Sequence, residues 1–258
     1  MLAVRDSGSG SAVLLLHAFP CDGGMWAHQA QALSDSGHRA IVPDLPGFGA
    51  SELPHEPPEL DVVVDQVLVW LDAAEVAEFA VAGLSLGGYL AMALLRRVPH
   101  RITRLMLIDT KASVDAAAAR GNRLAVAQRA LAERDTEFLV PAMIPGLLGE
   151  STRNHRRDIV ARTEEWIRSA DPRAIAWYQQ AMAQRPDSTA DLGGFPRPAL
   201  IVYGGQDTVL SPRAEQLLML RHLPDARLIE IPAAGHLSAI EQPEAVAEAI
   251  VGFLADAL

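Results

Sequence analysis

Three polar residues lie directly after short apolar runs, and their order along the chain could support nucleophilic catalysis. Ser85 is the centre of GLSLG, Asp207 follows ALIVYGGQ, and His236 follows IPAAG. A serine hydroxyl is a poor nucleophile at neutral pH, so it needs a base within hydrogen-bond reach and a group that orients the base. The three residues therefore predict a catalytic triad in which His236 takes the proton from Ser85 and Asp207 orients the imidazole.

The surroundings of Ser85 favour a nucleophile over the alternative, a serine that only caps a helix. An apolar run, FAVAG, precedes it, and apolar residues at helical spacing follow it. Such a strand–turn–helix corner projects a hydroxyl towards a substrate, and Gly83 and Gly87 supply the small residues that a tight corner needs. The N-terminal amides and dipole of the following helix favour a developing negative charge.

Asp109 is an alternative for the acid of the triad, because it ends another apolar run, ITRLMLID. We favour Asp207, since Gly204 and Gly205 give its loop the freedom to turn inward. Asp207 could also be only a turn residue, and His236 only a loop histidine satisfied by backbone groups. The order serine, aspartate, histidine makes both of these alternatives weaker.

Two backbone N–H groups are expected to stabilise the negative charge that develops on a substrate carbonyl oxygen. One belongs to Leu86, directly after the nucleophile. The other is assigned to Phe19, in the loop HAFP that follows the first buried strand. His17 of the same loop is expected to brace it rather than to transfer protons.

The elements that must position these residues follow from the alternation of apolar runs with helical patterns. This alternation predicts an α/β fold with a mostly parallel central sheet and helices on both faces. The hydrolytic core is expected to comprise residues 1–111 and 187–258. The expected strands are Ala12–Leu16, His38–Val42, Phe79–Gly83, Ile102–Asp109, Ala199–Tyr203 and Arg227–Ile231.

Residues 112–186 break this alternation, because they contain helical patterns and no convincing strand. We interpret them as a helical insertion between two strands. Its expected helices are Val114–Glu133, Thr136–Leu148, Thr152–Ser169 and Pro172–Gln184. Met143 and Trp177 in this segment, together with Trp26 beyond the HAFP loop, are candidate substrate-binding residues. Packing against neighbouring helices or the core is the alternative for each of the three.

Four stretches together resemble one superfamily: HAFP at 17–20, DLPGFGAS at 44–51, GLSLGG at 83–88, and the pair GGQD and AAGH that contains Asp207 and His236. Because these four stretches occur in the same order and at similar spacing, the chain resembles the α/β hydrolases over nearly its whole length. Within that superfamily it is most similar to small esterases, enol-lactonases of the 3-oxoadipate enol-lactonase type, and cofactor-free haloperoxidase and perhydrolase relatives.

The resemblance implies a triad and two oxyanion donors at the positions already argued, and a cap over the active site at residues 112–186. Two features depart from the usual pattern of the family. Ala18 stands where relatives often have glycine, and only Leu2–Arg5 precedes the first loop, so the usual first strand is expected to be reduced.

Composition excludes several other classes of protein. The net charge of −10 argues against binding to nucleic acid or to anionic membranes. Because no apolar run approaches the ~20 residues that span a bilayer and no signal peptide is visible, we expect a cytoplasmic protein. With one cysteine, Cys21, an intrachain disulfide is impossible. The motifs and paired cysteines of zinc sites are absent, so neither a metal site nor a cofactor is expected.

The sequence therefore predicts a serine hydrolase that cleaves a carboxylic ester or lactone of a small, largely apolar substrate through an acyl-enzyme. The same triad could instead serve thioester, C–C bond or perhydrolase and haloperoxidase chemistry in a tailoring pathway. A third possibility is a ligand receptor that retains the hydrolase fold.

Overall fold

The computed structural model describes residues 2–208 and 210–255, and in these ranges seven strands form one sheet. Across the sheet the strands follow the order β1-β3-β2-β4-β5-β6-β7, with β1 antiparallel to β3 and all other neighbours parallel. The predicted mostly parallel sheet is confirmed. The strands are β1 (Val4–Gly8), β2 (Ser11–Leu16), β3 (His38–Pro43), β4 (Phe79–Leu84), β5 (Ile102–Ile108), β6 (Ala199–Gly204) and β7 (Ala226–Ile231).

Twelve α-helices connect or follow these strands within the described ranges. Six belong to the segments around the sheet: α1 (Ala27–Asp35), α2 (Leu60–Ala73), α3 (Leu86–Arg97), α10 (Arg213–His222), α11 (Ser238–Glu241) and α12 (Pro243–Ala255). The other six lie between β5 and β6: α4 (Ala117–Glu133), α5 (Leu139–Leu147), α6 (Glu150–His155), α7 (Arg157–Ser169), α8 (Pro172–Gln184) and α9 (Thr189–Gly193). The predicted last helix extended to Leu258, and residues 256–258 lie outside the described ranges.

The central strands are buried on both sides of the sheet. Every residue of β4 and of β6 is buried, which explains why their sequences are apolar runs without alternation. Helix α1 packs against α12, whereas α3 packs against β2, β4 and β5. Ten of the twelve residues of α3 are buried, so this helix holds the corner that begins it in a fixed place.

The segment between β5 and β6 is helical, as its sequence pattern indicates. Helix α4 packs along α8, while α5 and α6 both pack against α7. The helix expected at 152–169 is two helices, because the backbone of Arg156, with φ −121° and ψ 71°, is not helical and separates α6 from α7. The segment that returns to β6 also contains a short helix, α9.

The first strand is longer than the sequence predicts. It runs from Val4 to Gly8 and pairs with β3 over five residues. Its extent beyond Arg5 carries little apolar signal, because β1 is an edge strand with mostly exposed, polar residues, and it forms no hairpin with β2. An ion pair between Arg39 and Asp6, at 2.7 Å, joins the two strands on the solvent side.

The carboxyl ends of β2, β4, β5, β6 and β7 lie at the same edge of the sheet, because these strands are parallel. Side chains in the loops at that edge can therefore meet although they are far apart in sequence.

Within residues 2–208 and 210–255, each helix is too short or too polar to cross a bilayer.

Candidate active site

Ser85 occupies the corner between β4 and α3 in a backbone conformation that side-chain-bearing residues rarely adopt. Its φ is 55° and its ψ is −110°. The corner is held on both sides: the N–H of Ser85 donates to the carbonyl of Ile108 at 3.0 Å, and the hydroxyl of Thr110 donates to the carbonyl of Ser85 at 2.8 Å. The strain of this conformation is therefore supported by the neighbouring strand β5.

The two glycines that flank Ser85 are required by close approaches of the backbone. A Cβ on Gly83 would lie 2.1 Å from the carbonyl oxygen of Gly87. A Cβ on Gly87 would in turn lie 2.0 Å from the carbonyl oxygen of Leu16, at the end of β2. The Gly-x-Ser-x-Gly pattern thus reflects a corner that is packed too tightly for any other side chain.

A chain of hydrogen bonds joins Ser85, His236 and Asp207, which lie after β4, β7 and β6. The Oγ of Ser85 is 2.8 Å from Nε2 of His236, and Nδ1 of His236 is 2.5 Å from Oδ2 of Asp207. An ionised carboxylate only accepts hydrogen bonds, so Nδ1 carries the proton and Nε2 accepts the hydroxyl of Ser85. In this tautomer the imidazole is ready to act as a base towards the serine.

The loop after β6 fixes the carboxylate of Asp207. Leu210 donates its N–H to Oδ1 at 3.0 Å, and both the N–H and the hydroxyl of Ser211 donate to the carboxylate. Burial opposes ionisation of Asp207, but the charge and hydrogen bond of His236 and the bonds from Ser211 outweigh it and lower its pKa to about 2. Asp207 is therefore ionised throughout the neutral range.

The imidazole of His236 is buried and lies among carboxylates. Burial lowers its pKa, but the charge and hydrogen bond of Asp207, with smaller effects of Asp109 and Glu241, raise the pKa above its ordinary value. The imidazolium that forms when the histidine accepts a proton is thus stabilised by its surroundings.

Asp109, the rival acid, lies at the end of β5 and makes different contacts. Its Oδ1 accepts the N–H of Gly204 at 2.7 Å, and its Oδ2 accepts the N–H of Ser238 at 3.1 Å. Complete burial, with a smaller effect of the charge of Asp207, raises the pKa of Asp109 to about 7, against the opposing charge of His236. Asp207 rather than Asp109 contacts the imidazole.

Neither the N–H of Phe19 nor that of Leu86, both in buried residues near Ser85, has an acceptor within the described part of the chain. Phe19 follows β2, which pairs with β4 up to Leu16 and Gly83, so its loop lies beside the Ser85 corner. Leu86 begins α3, where the first amides of a helix lack intrahelical partners. Unpaired buried amides are costly, so donors left free at this edge are available to an oxygen of a ligand.

His17 braces the loop that contains Phe19. Its Nδ1 donates to the carbonyl of Ala18 at 2.9 Å, and its Nε2 accepts the N–H of Leu45 at 2.8 Å. Complete burial lowers the pKa of His17 to about 4, although the carbonyl of Ala18 and the charge of Asp44 oppose this shift. A proton on Nε2 would also displace the N–H of Leu45, so the folded protein keeps this imidazole neutral.

We expect His17 to make the protein less stable in mild acid. Its pKa is depressed in the folded state, so its contribution to stability is complete above pH 6.5 and is lost as the pH falls towards about 4. Between pH 7.5 and 5, the free energy of unfolding of the wild type should fall by about 2 kcal/mol more than that of His17→Leu. Urea unfolding at both pH values measures this difference.

His28→Leu is the matched control, because His28 is exposed on α1. It should keep the pH dependence of the wild type. An identical loss of stability in His17→Leu and the wild type would show that His17 does not resist protonation.

The three candidate substrate-binding residues are differently placed. Trp26 is fully buried, and its Nε1 has no acceptor among the described residues. Trp177, on α8, is also buried, and its Nε1 donates to the carbonyl of Glu56 at 3.0 Å, so it joins the insertion to a loop of the core. Met143, on α5, is half-buried and packs against the hydrophobic core. Contact of these residues with a substrate stays a prediction.

A cavity of about 220 Å³ lies between α3 and α8, away from the catalytic hydrogen bonds. Its lining includes Tyr89, Lys111 and Arg185, but neither Ser85 nor His236. Lys111 and Arg185 both pair with Asp115, so each of these cations already has a partner within the chain. Among the described residues no three His, Cys, Asp or Glu side chains are grouped so that they could hold a metal ion.

Sequence reasoning missed two groups that support the site. Ser211, four residues after Asp207, fixes the carboxylate, and Glu241, five residues after His236, accepts the N–H groups on both sides of that histidine. The sequence positions of these two residues only weakly indicated a role in the site, because serine and glutamate in helices and loops are usually surface residues.

The order of the strands and the polar residues at their carboxyl ends are those of an α/β hydrolase. A family model described as alpha/beta hydrolase fold matches residues 11–243, and the chain belongs to this family. The resemblance predicted from the four motifs is therefore confirmed. The matching relatives include proteins named as a methyl ester esterase, an enol-lactonase and a putative non-heme bromoperoxidase.

A curated relative and two solved structures give the extent of this similarity. The dihydrolipoyllysine-residue acetyltransferase component of an acetoin cleaving system from Pseudomonas putida is 29% identical over 95% of this chain, which spans 64% of that relative. A malate-bound thermophilic esterase from Thermogutta terrifontis is 37% identical, with a TM-score of 0.93 over 98% of this chain and 92% of the esterase. The enol-lactonase from Burkholderia xenovorans LB400 is 26% identical, with a TM-score of 0.90 over 99% and 96% of the two chains.

Proposed function

We propose that this protein is a serine hydrolase that cleaves a carboxylic ester or lactone of a small, largely apolar substrate through an acyl-enzyme. The observation that carries the proposal is the chain of hydrogen bonds from Ser85 through His236 to Asp207. The esterase and the enol-lactonase with similar structures support the same class of substrate.

In the proposed acylation, Oγ of Ser85 attacks the carbonyl carbon while its proton moves to Nε2 of His236. The carbonyl oxygen becomes an oxyanion, which the free N–H groups of Phe19 and Leu86 stabilise. Asp207 stabilises the imidazolium that has formed. When the tetrahedral intermediate collapses, the bond to the leaving oxygen breaks and His236 returns the proton to it, which releases an alcohol or opens a lactone ring.

Deacylation repeats these steps with water as the nucleophile. His236 takes a proton from water, the hydroxyl oxygen attacks the acyl carbon, and the same two amides hold the second oxyanion. Collapse breaks the ester bond to Ser85, whose oxygen recovers the proton from His236. The carboxylic acid leaves, and the site returns to its starting protonation state. No external oxidant or cofactor is needed for this cycle.

We assign the insertion at 112–186 the role of a cap that selects the substrate. Two contacts between the insertion and the catalytic loops support this assignment. The N–H of Leu237, next to His236, donates to the carbonyl of Leu147 at 3.1 Å. An aromatic series also leads from Phe19 through Phe48 to Tyr178 on α8, with ring centroids 5.9 and 4.9 Å apart. Trp177 and Met143 on this cap remain proposed contacts for the substrate.

Labelling with a fluorophosphonate tests the proposed function, because this reagent forms a stable adduct with an activated serine. We expect one adduct per chain on Ser85, mapped by peptide mass spectrometry, and none in Ser85→Ala. Wild-type protein should also turn over members of a panel of short p-nitrophenyl esters and lactones.

The other serines of the same chain are the internal control and should remain unmodified. Absence of an adduct on Ser85, together with no turnover across the panel, would contradict the proposal. Turnover confined to thioesters, C–C bonds or peracid formation would keep the triad but change the substrate class.

A further inference from the structure

Glu241, at the end of α11, is a carboxylate with no exposed surface. Burying a charge costs free energy unless hydrogen bonds or an opposite charge compensate it. None of the ion pairs formed among residues 2–208 and 210–255 includes Glu241. Its compensation therefore comes from hydrogen bonds, and their donors indicate what this carboxylate does.

One oxygen of Glu241 accepts hydrogen bonds from the backbone on both sides of His236. Oε1 accepts the N–H of Gly235 at 2.9 Å and, at 3.2 Å, the N–H of Leu237, which it shares with the carbonyl of Leu147. Gly235 and Leu237 are the residues directly before and after His236. Two donors on one oxygen fix both the position and the direction of the backbone between them. The Cα of His236, and with it the imidazole, is thereby restrained relative to α11.

The other oxygen of Glu241 binds the insertion. Oε2 accepts the N–H of Gly149 at 2.8 Å, and the hydroxyl of Thr152 also bonds to the carboxylate. The two loops touch directly here, since a Cβ on Gly235 would lie 2.1 Å from the nitrogen of Gly149. A single carboxylate thus joins the loop of His236 to the segment between α5 and α6.

We infer that Glu241 is a positioning residue for catalysis, which holds the imidazole of His236 in line with Ser85 by binding the two amides beside it. The inference rests on the proposed function of Ser85 and His236 as nucleophile and base. A displacement of about 1 Å at a reacting group can cost ~10²-fold in rate, so a restraint on this loop has a measurable effect.

The charge of Glu241 also acts on His236. Three carboxylates act electrostatically on the imidazole: Asp207 from the loop after β6, Asp109 from the end of β5, and Glu241 from α11. Each of them raises the pKa of His236, against the opposing effect of burial. Removal of the charge of Glu241 should therefore lower the pKa of His236, and the rise of kcat/KM with pH should move to lower pH.

Glu241→Gln tests the inference, because it removes the charge and replaces one acceptor by a donor. We expect kcat/KM at pH 8 to fall about 10- to 100-fold, mainly through kcat, with KM changed less than about threefold. The pKa of His236, followed by NMR of ring-labelled histidine, should fall. Glu248→Gln is the matched control, because Glu248 is exposed on α12, and it should leave both quantities unchanged.

Thr152→Val weakens the contact from the side of the insertion alone. It removes the Thr152 hydroxyl but keeps the N–H bonds of Gly149, Gly235 and Leu237, so kcat should stay within about threefold of the wild type. A loss as large as that of Glu241→Gln would overturn the inference, because the insertion rather than the loop of His236 would then be responsible. A role in folding alone would lower the melting temperature of Glu241→Gln and leave kcat and the pKa of His236 unchanged, which would also overturn it.

If Glu241→Gln does not fold, Glu241→Asp carries the test, because it keeps the charge but shortens the reach by one methylene. Wild-type kcat in folded Glu241→Asp would overturn the inference. The NMR titration does not depend on turnover, so an inactive wild type would contradict the proposed function, whereas an unchanged pKa of His236 would contradict the role of Glu241.

Discussion

Replacement of His236 by glutamine should reduce kcat/KM for a short ester by about 10⁴- to 10⁶-fold, because the base that activates Ser85 is lost. Ser85→Ala should cause a loss of similar size. Since the two residues act as one unit through the 2.8 Å bond between Oγ and Nε2, the double variant should be no less active than either single variant. Steady-state kinetics of the three variants with one p-nitrophenyl ester measure these losses.

His222→Gln is the control for a general effect of this substitution, because His222 is exposed at the end of α10. It should keep wild-type kinetics. Losses that multiply in the double variant would show that Ser85 and His236 act independently, and the proposed mechanism would then be wrong.

Asp207→Asn should reduce kcat by about 10⁴-fold, because an amide can donate to the imidazole and so favour the wrong tautomer. Asp109→Asn should reduce kcat by less than about 10²-fold, since Asp109 contacts the N–H groups of Gly204 and Ser238 and not the ring. The two variants are a matched pair: both residues are buried, and both carboxylates raise the pKa of His236.

The pH profile adds a second comparison. Because Asp109→Asn removes a carboxyl whose ionised form raises the pKa of His236, the rise of kcat/KM with pH should occur at lower pH in this variant. A larger loss of kcat in Asp109→Asn than in Asp207→Asn would make Asp109 the acid of the triad.

The sequence was most informative where apolar pattern and chemistry coincide. Strand β4, buried at every residue, leaves a continuous apolar run, and the tight corner after it demands glycine at 83 and 87. These two requirements made the neighbourhood of Ser85 recognisable from residue types alone. The parallel order of the later strands then brought Asp207 and His236 to the same edge, which their positions after apolar runs had indicated.

The sequence was least informative where polar residues act through the backbone. Glu241 and Ser211 bind main-chain N–H groups, which every residue except proline possesses, so their partners leave no pattern of residue types. The edge strand β1 was underestimated for a related reason, since its pairing with β3 uses main-chain groups and its side chains are mostly exposed. The interruption of the helix at Arg156 could likewise not be predicted, because neither proline nor glycine lies at that point in the sequence.

The close approach of Gly149 and Gly235 has a consequence for mutagenesis of the insertion. A mutagenesis library spread evenly over the insertion would often place a side chain at position 149, where a Cβ would lie 2.8 Å from the nitrogen of Gly235 and 2.5 Å from Oε1 of Gln206. Many of its members would be inactive for reasons unrelated to substrate choice. Libraries that keep residues 147–152 and diversify α7 and α8 should therefore yield a larger fraction of active variants.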